Sequence, residues 1–338
     1  MRFALLSADP THGKRFWINP EEGDATSFMN WVNVWKGYHF NFDETMKDIS
    51  FLKDYDVVMM SGHPGHLAHI RQISDYLRPT DTVTMFYPEG STQLYGESIN
   101  HFHRETYDAW NACDVVSSAE EDKESYYQAF LRSRTVVRFI HVPMREEMEA
   151  GYFFIPLIHK HRRMSLVYGD NNPNHPLIAI ACSARMGMEV LGIEIDRGKL
   201  QEIKDMFPGT TFYSSSKVGQ YPFLRALGRC LLQFYPTGWI GTARQQISCA
   251  VAGTPCIGNH DSHTQRRLFP ELGADIYDVD RMCSLANMLR SDPEFYEHVT
   301  RQAFKASKFY GLEPTKARFL EAVDAARAAK RSAQEVIA

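Results

Sequence analysis

The chain has 338 residues, room for two domains of about 150 residues each. Its 37 Lys and Arg against 41 Asp and Glu leave a net charge of −4, which excludes the global basic field of a general nucleic-acid binder. No run approaches the roughly 20 apolar residues that cross a bilayer, and six cysteines without a C-x-x-C pair read as buried thiols of a reducing, cytoplasmic compartment rather than a disulfide framework or zinc site.

The opening Met1-Arg2-Phe3-Ala4-Leu5-Leu6-Ser7-Ala8-Asp9 holds an apolar run too short for a signal-peptide core, and it reads as a first buried strand, Phe3 to Ser7. A helix-like segment from Phe28 to Trp35 follows, then a strand at Val57 to Ser61 and an amphipathic helix at Leu67 to Leu77. The alternation continues with a strand at Val83 to Tyr87, a helix at His103 to Ala112, a strand at Val115 to Ser118, a helix at Asp122 to Leu131 and a strand at Val136 to Val142. Continuous apolar runs between helices predict parallel strands covered on both faces.

Between Pro143 and Arg163 the composition shifts, from Arg145-Glu146-Glu147-Met148-Glu149 through an aromatic stretch, Tyr152 to Pro156, to His159-Lys160-His161-Arg162-Arg163. This predicts a domain junction, with peripheral contact to an anionic membrane surface as the other reading of the same residues. The rhythm then restarts. Strands are expected at Ser165 to Tyr168, Val190 to Ile195, Thr211 to Ser214, Leu231 to Phe234, Pro255 to Gly258 and Ala274 to Tyr277. Helices are expected at Leu177 to Ala184, Lys199 to Met206, Tyr221 to Arg229, Ala243 to Val251, Met282 to Leu289, Glu294 to Lys308 and Lys316 to Ala329.

Ala250 to Asn259 compresses a helix end, a tight turn at Gly253-Thr254-Pro255 and a buried strand that opens into His260-Asp261-Ser262-His263. In open α/β sheets the carboxyl ends of strands carry the ligand crevice. Together with Tyr235-Pro236-Thr237-Gly238-Trp239 and Gln265-Arg266-Arg267-Leu268-Phe269-Pro270, this stretch resembles the donor-binding domain of GT-B glycosyltransferases, especially the glycosyl group 1 (GT4-like) family. The resemblance implies an α/β fold of two Rossmann-like domains facing a cleft, with a C-terminal helical tail. Residues 1–155 would form the acceptor-side domain and 163–312 the nucleotide-sugar-binding domain, with 313–338 packing back on the first. It also implies sugar transfer from a UDP- or GDP-sugar to an acceptor without a metal or other cofactor. The family's two acidic residues eight apart would fall at Ile240 and Ser248, neither a carboxylate. Donor identity and stereochemical outcome are left open by that departure.

A leaving diphosphate can be neutralised by helix N-terminal amides and a cation. Three segments suit that role. They are Gly169-Asp170-Asn171 after a strand, Ser215 with Lys217 after another, and the helix opening that contains Thr237, Gly238, Gly241, Thr242, Arg244 and Gln245. A general base for the acceptor hydroxyl is offered by His63, His12 or Asp9 in loops after first-half strands. The spacing of His63, His66 and His69 invites a metal reading, but Pro64 and Gly65 interrupt the helix and no H-E-x-x-H pattern follows, so no metal site is assigned.

The acceptor stays open among a glycan, a lipid-linked sugar, a metabolite and a modified DNA base. The last requires Arg71, Arg78, Arg104, Arg132, Arg134 and Arg138 to form one basic face. Two other functions share the architecture: a sugar-nucleotide epimerase and a catalytically silent sugar-nucleotide binder or scaffold. A dinucleotide oxidoreductase is disfavoured, because no G-x-G-x-x-G follows a strand. Oligomeric state is not encoded in any motif.

Overall fold

The computed structural model describes the chain apart from residues 11, 16–18, 20, 22–29, 63, 89–103, 119–120, 133, 169–174, 194, 196, 216–217, 239–243 and 338. It divides into a first unit, Met1–Ile18, Thr26–Pro143 and Leu312–Ala338, and a second unit, Asn19–Ala25 and Met144–Gly311.

The first unit is built from β1 (Phe3–Ser7), α1 (Asn30–Trp35), β2 (Tyr38–Asn41), α2 (Phe42–Thr45), β3 (Val57–Gly62), α3 (Leu67–Leu77), β4 (Val83–Pro88), α4 (Arg104–Ala112), β5 (Val115–Ser118), α5 (Glu124–Phe130) and β6 (Val136–Phe139). The six strands form a parallel sheet in the order β2-β1-β3-β4-β5-β6. Their apolar runs are continuous because alternate residues serve two cores. Ala4, Leu6, Val58, Met60 and Phe86 face one layer with α3 and α4, while Phe3, Leu5, Val57, Met59 and Met85 face the other with α1.

The second unit begins with α6 (Glu146–Glu149) and continues with β7 (His161–Tyr168), α7 (Pro176–Arg185), β8 (Glu189–Ile193), α8 (Arg197–Met206), β9 (Phe212–Ser215), α9 (Gln220–Arg229), β10 (Cys230–Tyr235), α10 (Arg244–Ala252), β11 (Cys256–Asn259), α11 (His263–Leu268), β12 (Gly273–Ala274), α12 (Val279–Ser291) and α13 (Pro293–Ser307). Its sheet is also parallel, ordered β12-β11-β10-β7-β8-β9. The last helix, α14 (Leu312–Ile337), returns to the first unit. There Phe319, Ala322, Val323 and Ala326 close the α1 side of the sheet, and the Phe319 ring lies 4.9 Å from Trp31 and 6.0 Å from Phe3.

Strand ends differ from the expected ones where pairing partners run out. β6 is paired only with β5, whose last partnered residue, Ser118, stands opposite Phe139, so the run to Val142 stays buried but outside the sheet. β12 stops at Ala274 because β11 stops opposite it at Asn259. β7 starts earlier than expected, at His161, because Cys230 of β10 pairs with it despite three consecutive basic or His side chains.

The segment expected as a linker belongs to the second unit. The Ile155 amide donates to Ala252 O at 3.1 Å, and the Phe154 ring packs edge-on against Phe304 at 5.4 Å. It also covers Gly253, where a Cβ would come within 2.9 Å of Phe154 Cε2. Gly253 has φ +66°, and the bonds Gly253 N–H to Ala250 O and Thr254 N–H to Cys249 O close α10 in a Schellman motif. The next residue is a second anchor: Thr254 Oγ1 donates to Leu227 O at 2.9 Å and accepts from buried Lys160 Nζ at 2.9 Å. The Gly-Thr-Pro turn is therefore held by packing and hydrogen bonds at the amino end of β11, away from that strand's ligand-facing edge.

Candidate functional site

The strand order places a crevice in each unit. In the second unit the chain lays β7, β8 and β9 side by side, then returns to the other side of β7 with β10. The reversal falls between β7 and β10, and ligands bind outside the carboxyl ends of strands at such a switch point. Thr237 and Gly238 follow β10 there, and α10 opens at Arg244. In a βα unit the helix starts at the strand's carboxyl edge, so the positive end of its dipole faces the same crevice.

This edge is held firmly. The Thr237 amide donates to Tyr235 O at 2.8 Å, and Asn259 Nδ2 at the end of β11 donates to Thr237 O at 3.1 Å. Burial pushes the Tyr235 phenol well up, partly opposed by its hydrogen bond with Thr237 and by the Arg244 charge, which puts all three groups in one electrostatic neighbourhood. Behind them Gln246 Nε2 donates to Gln265 Oε1 at 2.7 Å, Gln246 Oε1 accepts from Ser262 Oγ at 3.3 Å, and Gln265 Nε2 donates to Cys256 O at 2.9 Å. Gly258 leaves room for these amides, since a Cβ would sit 2.7 Å from Gln265 Oε1. Next to this satisfied network, Gln245 Oε1 is buried with no hydrogen-bond partner among the described residues. A buried acceptor left unpaired calls for an explanation, and a ligand donor supplies one.

The structure separates the other donor-side candidates. Ser215 ends β9, three strands from β10, which at strand spacing is roughly 15 Å across the sheet. Ser248, at one of the two positions where the family carries a carboxylate, is buried in α10 and accepts from Gln220 Nε2 at 3.5 Å. Gly169, Asp170, Asn171, Lys217, Gly241, Thr242, Ile240 and His63 lie outside the described residues.

In the first unit the reversal falls between β1 and β3. Asp9 and His12 follow β1. The Asn41 side chain at the end of β2 donates to Ala8 O at 3.3 Å and Asp9 O at 2.9 Å, fixing the start of that loop. The Gly13 amide donates to His39 O, and His39 N–H to Lys14 O, so the loop doubles back along β2 and places His12 edge-on to Phe40 at 5.3 Å. Ser7 Oγ and His39 Nε2, both buried, are hydrogen-bonded at 2.8 Å beneath it. Beside this edge Asp43, His66 and His69 each bring one ligand atom into a group spanning at most 4.8 Å, a group that could hold a metal ion. No sequence cue points to Asp43, because the short β2, Tyr-His-Phe-Asn, carries no β-branched residue to signal a strand.

Four of the six arginines are ion-paired among the described residues. Arg71 pairs with Asp75 and Asp108, Arg78 with Asp75, Arg104 with Asp108 and Arg138 with Glu124, while Arg134 Nη2 donates to Asn111 O. No helix among the described residues is long and apolar enough to cross a membrane.

No protein-family model matches the chain. No curated protein sequence matches it either. Solved structures do. An alpha-glucosyltransferase in complex with UDP and a 13-mer DNA containing a HMU base aligns over 96% of this chain and 99% of its own, at 10% identity and a TM-score of 0.65. Sucrose-phosphate synthase from Thermosynechococcus elongatus aligns over 95% and 97%, at 11% identity and a TM-score of 0.71. TarM of S. aureus, in a complex that includes UDP, aligns over 83% of this chain and 58% of its own, at 9% identity and a TM-score of 0.64. With two parallel Rossmann-like sheets and a last helix returning to the first, the chain has the fold of the GT-B glycosyltransferases.

Proposed function

We propose that the chain is a glycosyltransferase that takes a sugar from a nucleoside-diphosphate donor, of the UDP-sugar class, bound at the β7/β10 edge of the second unit. The observation that carries this reading is the construction of that edge: a helix N-terminus, the Arg244 guanidinium and an unpaired buried acceptor, Gln245 Oε1, beside a rigid hydrogen-bonded wall. UDP in the complexes of the structurally similar alpha-glucosyltransferase supports the choice of base.

The chemistry follows from charge. Breaking the anomeric C–O bond leaves negative charge on the diphosphate, and preorganised amides with a cation stabilise it as it develops. Thr237, Gly238, Gly241 and Thr242 supply the backbone approach, Arg244 the cation, and Gln245 Oε1 accepts from a donor hydroxyl. Gly169, Asp170 and Asn171, which follow β7 in sequence, and Ser215 and Lys217, which follow β9, are further candidates for contacts to the donor. The acceptor hydroxyl is deprotonated at the β1/β3 edge of the first unit, where Asp9, His12 and His63 follow the strands. The transfer needs no metal for leaving-group stabilisation. Ion pairing of Arg71, Arg78, Arg104 and Arg138 favours a sugar or small-molecule acceptor over DNA.

The test is a thermal-shift series with UDP, GDP, ADP and CMP and their sugar conjugates, on the native chain and on Arg244→Ala. A ligand at a hundredfold its Kd adds about 2.7 kcal/mol to stability. A shift with the UDP series, weakened by the substitution and followed by donor hydrolysis, is the expected result. A shift without turnover against any acceptor moves the assignment to a silent binder, and no shift with any nucleotide overturns the donor site.

A further inference from the structure

The first unit carries a group that the transfer chemistry does not use. Asp43 sits in the first turn of α2, directly after β2, while His66 precedes α3 and His69 lies in its first turn, in the segment that follows β3. Strands β2 and β3 flank β1, and Asp43, after β2, meets two histidines that follow β3. One ligand atom from each of the three side chains falls within a span of 4.8 Å.

The two imidazoles are set in place by packing. His66 stacks on Phe42 with ring centroids 4.8 Å apart and planes 14° apart, and the His66 and His69 rings are 5.7 Å apart. His69 Nδ1 is buried without a hydrogen-bond partner among the described residues, in a half-buried side chain. Asp43 is exposed and able to rotate toward them.

We infer that Asp43, His66 and His69 form a binding site for a divalent transition-metal ion of the zinc class. Two imidazoles and a carboxylate match the ligand preference of such ions, whereas calcium and magnesium take oxygen sets. Ligand bonds of about 2.0–2.1 Å around a tetrahedral ion put ligand atoms about 3.3 Å apart. Closing the group from a span of at most 4.8 Å to that spacing takes side-chain rotation, for which exposed Asp43 has room. Three protein ligands leave the fourth position to water or to an oxygen of a molecule bound at the β1/β3 edge. The inference stands apart from the transferase reading, because it rests on the ligand set alone.

The experiment is calorimetric titration of the tag-free full chain with Zn²⁺, joined by Co²⁺ titration read in the visible absorption bands. The expected result is one ion per chain, with affinity reduced about tenfold or more in Asp43→Asn and in His69→Gln. No stoichiometric binding overturns the inference, and so does binding that neither substitution weakens. If His69→Gln disturbs folding, judged by circular dichroism, Asp43→Asn decides alone, since an exposed side chain can be exchanged without opening the core.

Discussion

The two units contain the same parts, six parallel strands under helices on both faces, yet they differ in where the chain reverses. The first unit turns between β1 and β3 after laying only β2 outward, and the second turns between β7 and β10 after laying β8 and β9 outward. The residues that reach the two edges differ in kind. Asp9, His12, Asp43, His66 and His69 gather around the first, a set that exchanges protons or takes a cation. Thr237, Gly238, Arg244 and Gln245 follow β10 or open α10 at the second, a set chemically suited to an anion and hydroxyls. One architecture thus presents two chemistries, because the loops at the carboxyl edge vary independently of the sheet that holds them. The units also differ in closure. The first borrows α14 from the far end of the chain, whereas the second closes on its own helices and buries polar anchors such as Lys160.

The largest expected effect breaks that closure. Phe319→Ala removes the ring that packs on Trp31, Trp35 and Phe3, at a cost of about 3–5 kcal/mol. Hydrogen exchange should show β1, β3 and β4 losing protection while β7 and β10 keep theirs. Equal loss in both units would show that the two sheets do not differ in their dependence on α14.

Next comes the anion edge. Arg244→Ala should weaken nucleotide binding about 10- to 100-fold, the worth of a charge-assisted hydrogen bond, with the unliganded melting temperature measured beside it to separate binding from stability. The same titration on His12→Ala should leave nucleotide affinity intact, which separates the edges. Slightly smaller is Gly253→Ala, which forces a side chain into φ +66° and against Phe154, for about 1–3 kcal/mol of stability read from a denaturant midpoint.

Smaller still is a pH effect specific to the second unit. Burial holds the Lys160 ammonium, which bonds Gly228 O and Thr254 Oγ1, down to about 7. Above that value the unfolded chain keeps a proton that the folded chain has released, so stability rises with pH from about 7. Burial also raises the thiols of Cys113, Cys182, Cys230, Cys249 and Cys283, and together they outweigh the one lysine and reverse the trend once unfolded thiols ionise near the usual 9. Urea midpoints between about pH 7 and 8 should therefore climb, and Lys160→Met should flatten the climb. A flat profile in the native chain would remove Lys160 as the source. The smallest effect concerns acceptors: adding duplex DNA should change turnover little at moderate salt, and a steep salt-dependent gain would reinstate the nucleic-acid acceptor.

Much of the fold was legible in local pattern. β1, α3 and β5 stand where apolar runs and amphipathic spacing put them. β2 was not legible, since four residues following Lys36-Gly37 carry neither a run nor an alternation strong enough to register. With β2 unseen, Asp43 had no reason to be grouped with His66 and His69. Thr237, Arg244 and Gln245, proposed for the donor edge, could be grouped from the sequence because they belong to one βα turn. Ser215 is chemically suited to phosphate in the sequence, and only strand order removes it from the β7/β10 edge.

The sequence by itself determined the alternation of strands and helices, the burial of each strand on two faces and the turn at Gly253. All three depend on residues within a few positions of one another. Tertiary structure decided which strands are neighbours, where β6 and β12 end, which face α14 covers and which loops share an edge. Those outcomes rest on pairings between segments tens to hundreds of residues apart, and no local propensity records them.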